Sequence, residues 1–247
     1  MLNIKCPGTK KLRDKEPDII ICPGCKTELE IWSDEVQIFC AKCKKDIIRT
    51  DNQSCVDWCS FAKDCIGISL YNKYQKNKDI TLKHKLLLFL EGYFGKDVKR
   101  IEHAKNVLMY SEKILKEERG NWHIVVPASI LHDIGIKTSE EKYGSSSSHY
   151  QEIEGPPIAH DVLVKLGFKK KDIDEICDII GNHHSPGKIK TNNFYILNDS
   201  DWLVNINEEA DKKDKEKLRR LIDKYFLTKK GKEIAENLYI NNNEEIK

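Results

Sequence analysis

His132 and Asp133 stand side by side in Ala128-Ser129-Ile130-Leu131-His132-Asp133-Ile134-Gly135. A neutral imidazole and a carboxylate both ligate hard or borderline divalent cations. The pair falls where an apolar helical stretch runs into a glycine, a place from which side chains can enter a cavity. Partners are spread along the chain: His103 before the pair, and His183, His184 and Asp201 after it. Such a set predicts a centre that activates water for hydrolysis.

The elements that must position these residues read as helices over 97–116, 121–132, 157–166, 172–183, 194–205, 213–226 and 230–239, with almost no strand signal after residue 79. Val98, Ile101, Val107, Leu108, Ile114 and Leu115 form the apolar side of the first, with His103 among them. A histidine on an apolar face is by default a hydrogen-bonded core residue, and the His-Asp pair on the next helix is what makes His103 a ligand candidate. Asp201 sits beside Trp202 and Leu203. A carboxylate among large apolar groups needs a cation or hydrogen-bond donors, and Asp199 competes for the same role.

The chain has 247 residues, 33% of them charged, with a formal net charge of +2. That balance offers no global basis for binding nucleic acid. The start, Met1-Leu2-Asn3-Ile4-Lys5-Cys6, lacks an apolar signal core, and apolar runs such as 86–90 are too short to span a bilayer, so a cytoplasmic protein without a membrane partner is expected. Eight of the nine cysteines lie in the first 65 residues. In a reducing compartment such density reads as metal binding. The composition shift predicts a cysteine-rich domain over 1–70 and a helical domain over 80–247, with polar residues 71–79 as linker or weak helix start. Residues 145–148, four serines, read as a flexible loop.

Cys22-Pro-Gly-Cys25 and Cys40-Ala-Lys-Cys43 are two CxxC pairs, fourteen residues apart, with alternating strand-like residues 28–32 and 35–39 between them. Four thiolates so arranged make a zinc ribbon, a closed tetrahedral site. Cys6, Cys55, Cys59 and Cys65 form a possible second four-thiolate site, for zinc or an iron–sulfur cluster. The basic run Lys10, Lys11, Arg13 and Lys15 reads as solvated surface. A ribbon of this kind can serve nucleic acid, protein or stability. Stability is the simplest account here.

The order His103, His132-Asp133, Asp201 resembles the HD-domain superfamily of metal-dependent phosphohydrolases over roughly residues 80 to 240. Ile130-Leu131-His132-Asp133-Ile134-Gly135 is similar to its central signature. The segment Glu154-Gly155-Pro156-Pro157-Ile158-Ala159, with Leu163 and Leu166-Gly167, is similar to a helix beside its site, and Ser200-Asp201-Trp202-Leu203 to the segment bearing its last ligand. The resemblance implies a mainly α fold, an HD-type helical bundle behind the cysteine-rich module, with His103, His132, Asp133 and Asp201 on one metal. Asn182-His183-His184 resembles the paired histidines that some members use for a second metal. Those members carry a further histidine where this chain has Gln151, with His149, Glu152 and Glu154 nearby, and Glu154 is the acid candidate for the metal set. The family lysine after the signature is displaced: Ile136 stands there and Lys137 follows, a candidate phosphate contact.

The resemblance implies hydrolysis of a phosphate ester in a nucleotide or related small phosphorylated molecule. Asp133 would bind metal and orient the water, and His183 and His184 would hold a second metal or the transferring phosphate. Manganese, iron, nickel, cobalt and zinc all suit the ligand set. Two other readings stand beside this one. One is a diiron oxygenase of the kind a few HD proteins form. The other is a non-enzymatic protein that binds nucleic acid or ligand through the ribbon and the HD domain.

Overall fold

The structure, a computed structural model, describes residues 16–32, 35–49, 54–57, 59–185, 187–209 and 214–241. It divides into two compact units, 1–84 and 85–247. The first unit is built on two hairpins. Strand β1 (Asp18–Ile21) pairs antiparallel with β2 (Glu28–Ile31), and β3 (Gln37–Phe39) with β4 (Asp46–Ile48). Each CxxC pair lies in the six-residue turn between the paired strands, so β2 and β3, which the alternation predicts, find their partners across the knuckles. In both turns the residue after the second cysteine is in the left-handed region, Lys26 at φ 60° and Lys44 at φ 62°. Both also close with the same bonds, Cys22 N–H to Thr27 O and Cys40 N–H to Lys45 O, each 2.9 Å.

Arg49 ties the hairpins together. It is 2% exposed, pairs with the Asp18 carboxylate and donates to Trp32 O at 3.0 Å. A small core of Val36, Val56, Ala62 and Tyr74 completes the unit, around a 3₁₀ turn (Cys55–Asp57) and the short helix α1 (Ala62–Ile66).

Residues 71–79, expected as a linker or a weak helix start, are helical. They belong to α2 (Ile68–Phe94), a single helix of 27 residues. Lys and Gln are good helix formers and no Gly or Pro interrupts this polar stretch. Gly95 ends the helix at φ 60°.

The second unit contains α3 (Val98–Ile114), α4 (Trp122–Leu131), α5 (Gly135–Tyr143), α6 (Ser148–Lys165), α7 (Lys170–Ile180), α8 (Asn192–Glu209), α9 (Lys215–Tyr225) and α10 (Lys229–Ala235), the last running into a π-helical turn (Glu236–Ile240). At its centre is α4, packed on α3, α7 and α8. Every residue from Ile124 to Leu131 is buried, as expected of a helix apolar on all sides. Burying each large aliphatic side chain contributes about 1.5–3 kcal/mol, so this helix anchors the unit. Asp97 caps α3 by accepting from Arg100 N–H, and Asn121 caps α4 by accepting from His123 N–H.

Two elements depart from the sequence expectation. Helix α5 lies outside the expected helical ranges, and α6 begins at Ser148 rather than Pro157, carrying Pro156 and Pro157 inside it. Packing overrides the prolines: α6 lies between α5 and α7. The contact with α5 is so close that a Cβ on Gly135 would stand 2.5 Å from Gln151 O and 2.7 Å from Gly155 N. Ser148 therefore belongs to a helix, and only residues 144–147 form the connecting loop. No helix among the described residues is long and apolar enough to cross a membrane.

Candidate metal centre

Helix α4 ends at Leu131, and the chain turns through His132, Asp133 and Ile134 into α5. That turn brings His132 and Asp133 against His103 of α3 and Asp201 of α8. His132 Nε2 lies 3.3 Å from His103 Nε2 and 3.6 Å from Asp201 Oδ1. His103 Nε2 lies 3.1 Å from Asp201 Oδ1. Asp133 Oδ2 is 3.7 Å from His103 Nε2 and 3.4 Å from His132 Nε2.

The other ring nitrogens define the tautomers. His132 Nδ1 faces Ser129 O at 3.0 Å, and a carbonyl can only accept, so Nδ1 bears the proton. His103 Nδ1 faces Glu208 Oε1 at 3.3 Å and donates in the same way. Both Nε2 atoms therefore turn lone pairs toward each other and toward two carboxylates. This is repulsive unless a positive charge sits between them. Two bonds of about 2.1 Å at right angles hold their donors about 3 Å apart, so the observed separations fit a divalent cation. In its absence protons take that role. Burial pulls His103 down, but the Asp201 hydrogen bond and the charges of Asp201, Asp133 and Glu208 outweigh it and raise the ring to about 9. His132 shifts upward for a similar reason, burial being outweighed by Asp133 and Asp201. Burial opposes ionisation of Asp133 and Asp201, yet the facing histidines hold both carboxyls well below the usual range.

A second donor group adjoins the first: Asp133, His183 and His184 each offer an atom within 4.8 Å of the others. His183 Nε2 lies 3.4 Å from Asp133 Oδ1. His184 Nε2 lies 3.1 Å from Gln151 Oε1, and burial with the neighbouring His183 pushes its ring down to about 4. His103, Asp133, Asp201, His183 and His184 line a cavity of about 880 Å³, with His132 buried behind them.

Other expected site residues lie elsewhere. Lys137 donates to Tyr93 O at 2.9 Å, lies over the Tyr93 ring, and does not line the cavity. Glu154 accepts from Lys142 Nζ at 2.6 Å and Tyr143 OH at 2.8 Å, which occupies both oxygens and keeps the carboxyl below its ordinary range. Asp199 is no rival to Asp201. Two residues apart on a helix are opposite faces, and Asp199 accepts from Leu227 N–H, Thr228 N–H, Thr228 OH and Asn198 Nδ2 to hold the turn before α10. The sequence reading missed Glu208, two turns along α8 from Asp201, a spacing that places both on one face.

A family model for the HD domain matches residues 100–226, just over half of the chain. The chain belongs to the HD-domain family. Comparison with curated proteins and with solved structures returns no significant match. The HD family is one of metal-dependent hydrolases, generally of phosphate esters, and in this HD domain the His/Asp cluster could hold the metal.

The first unit carries its own candidate metal site. Cys22 Sγ and Cys43 Sγ stand 3.5 Å apart, as do Cys25 Sγ and Cys40 Sγ. Four sulfurs at about 2.3 Å from one zinc lie about 3.8 Å apart, so the cluster is consistent with a zinc-ribbon-like module. The Thr27 hydroxyl and backbone N–H hold Cys25 down at about 6. At Cys43 the Lys45 N–H pulls downward, but burial and the three other thiols win and push it up to about 11. Cys55, Cys59 and Cys65 are not gathered into a metal-sized group among the described residues. Cys55 and Cys59 pack against the small apolar core, whereas Cys65 is exposed. Cys6, the fourth member of that set, lies outside the described residues.

Proposed function

We propose that the HD domain hydrolyses a phosphate ester of a small molecule, with a nucleotide-like compound as substrate. The observation that carries this reading is the convergence of His103, His132, Asp133 and Asp201, with no lysine or arginine paired to either carboxylate among the described residues. Bound there, a divalent cation supplies a water acidic enough to ionise near neutral pH and withdraws charge from a phosphoryl oxygen.

The chain's own residues do the rest. Asp133 Oδ1 is turned away from His103 and His132 and can orient the attacking water. Lys99, one helical turn before His103, lines the cavity and has no ion-pair partner among the described residues, which suits it to a phosphate oxygen. Arg100 is otherwise engaged, bonded to both Glu140 oxygens at 2.6 and 3.0 Å. Trp202 and Tyr225 stack at 4.3 Å and line the same cavity, a flat apolar wall suited to a ring such as a base. In the ribbon, four thiolates leave no open position, so we assign zinc there a structural role.

The test is phosphate release from a nucleotide panel, with and without added Mn²⁺, by wild type, His132→Ala and Asp133→Ala. Metal-dependent release should vanish in both variants together with non-thiolate metal. Release and metal content unchanged in either would overturn the proposal. His123→Ala, exposed and outside the cavity, serves as the control.

A further inference from the structure

Helix α8 turns one polar face to the cavity. Asp201 lies on it, and so do Asn198, Trp202 and Asn205, spaced four and three residues apart. The metal centre accounts for Asp201. It does not account for the two asparagines, which flank Trp202 along the helix.

The Asn198 side chain is held by its nitrogen. Nδ2 donates to Asp199 Oδ1 at 3.0 Å and to Tyr225 O at 2.8 Å. A carbonyl only accepts, so the Tyr225 contact assigns the amide, and the two bonds use both of its hydrogens. Oδ1 is left without a partner among the described residues, yet it is not sealed away. On a residue 5% exposed that lines the cavity, it is a fixed acceptor in the cavity wall. Asn205 is half-buried, and its side-chain amide has no partner among the described residues. It offers the cavity an acceptor and two donors. Trp202 lies between the two asparagines along α8, with the Tyr225 ring stacked on it at 4.3 Å and 17°.

An aromatic face accepts any base, so stacking alone gives no selection. Selection comes from hydrogen bonds to the base edge. An acceptor that cannot turn to present a donor suits an exocyclic amino group. A base carbonyl in the same place would set two acceptors against each other.

The geometry points to Asn198 Oδ1 and the Asn205 amide as the contacts that select the substrate's base. They favour a base with an exocyclic amino group, such as adenine or cytosine, over its carbonyl counterpart. This rests on the nucleotide reading above. Asn198 supplies the discrimination, and Asn205 adds a second hydrogen bond to the base.

AMP and IMP differ chiefly at that group, as do CMP and UMP, so phosphate release from the four by the Mn²⁺-loaded full chain tests this. In wild type, kcat/KM should favour the amino member of at least one pair by about tenfold or more. Asn205→Ala should raise KM for that nucleotide about fivefold or more, with kcat within about twofold and Mn²⁺ binding unchanged. Asn198→Ala should bring the ratio within the pair close to one. Should that variant not fold, the wild-type ratios decide. Wild-type ratios below about tenfold in both pairs, or a folded Asn198→Ala protein with its ratio unchanged, overturn the proposal and leave hydrolysis intact. An unchanged KM in Asn205→Ala removes Asn205 from the assignment. If wild type releases phosphate from no nucleotide, the hydrolytic reading fails by itself, and calorimetric binding of the same pairs decides this one. Tighter binding of an amino member by about tenfold supports it; equal or absent binding overturns it.

Discussion

Glu208 offers the sharpest test of how the metal centre is built. Its Oε1 accepts from His103 Nδ1 at 3.3 Å, and its side chain is 26% exposed. The carboxylate therefore acts through the ring, fixing the tautomer and adding negative charge behind the ligand. Crossing the imidazole and one metal–nitrogen bond places a cation about 7 Å from that oxygen. A single and a double charge at that distance attract by about 1.2 kcal/mol in water and about 2.4 kcal/mol at half its dielectric constant, a range that suits a partly exposed group. Glu208→Gln keeps an acceptor and loses the charge, so Mn²⁺ affinity at the first donor group should fall about 8- to 60-fold. Glu208→Ala should fall at least as far. Mn²⁺ titration of both variants measures this, with circular dichroism as the check on folding. Affinity within about twofold of wild type in a folded Glu208→Ala protein would mean that the ring is oriented by packing alone, and the reasoning would fail.

Two further outcomes follow from the same geometry. In the metal-free protein the His103 ring titrates at about 9, so at neutral pH it must give up a proton to bind metal. Apparent affinity should rise about tenfold per pH unit for each proton displaced, and calorimetry in buffers of different ionisation enthalpy should show release of at least about one proton near pH 7, from His103 and, to the extent that its ring is also raised, from His132. A buffer-independent heat would refute this. Gly135→Ala forces a methyl against Gln151 O and Gly155 N, so α5 and α6 must separate; a loss of about 1–3 kcal/mol and a melting temperature lower by several degrees are expected. An unchanged melting curve would show that the helices can give without cost.

Much of this arrangement was legible in the residues alone. His132-Asp133 at the end of an all-apolar helix, with His103 and Asp201 on helices either side, identified the donor types and the family, because those side chains have few reasons to sit among apolar neighbours. The CxxC pairs likewise signalled a four-thiolate cluster, since each pair closes a short local turn. What sequence could not decide was whatever depends on a partner far along the chain. Lys137 and Glu154 had suitable chemistry and near-correct positions, yet α5 and α6 turn them toward Tyr93 and toward Lys142 and Tyr143. Asp199 and Asp201 were rivals until α8 placed them on opposite faces. The prolines of α6 signalled a helix start, but packing between α5 and α7 carries the helix nine residues further back. Local periodicity says which face of a helix is apolar. Only the tertiary fold determines which carbonyl meets an imidazole, and that contact, Ser129 O for His132 and Ile180 O for His183, leaves the bare nitrogen facing the site.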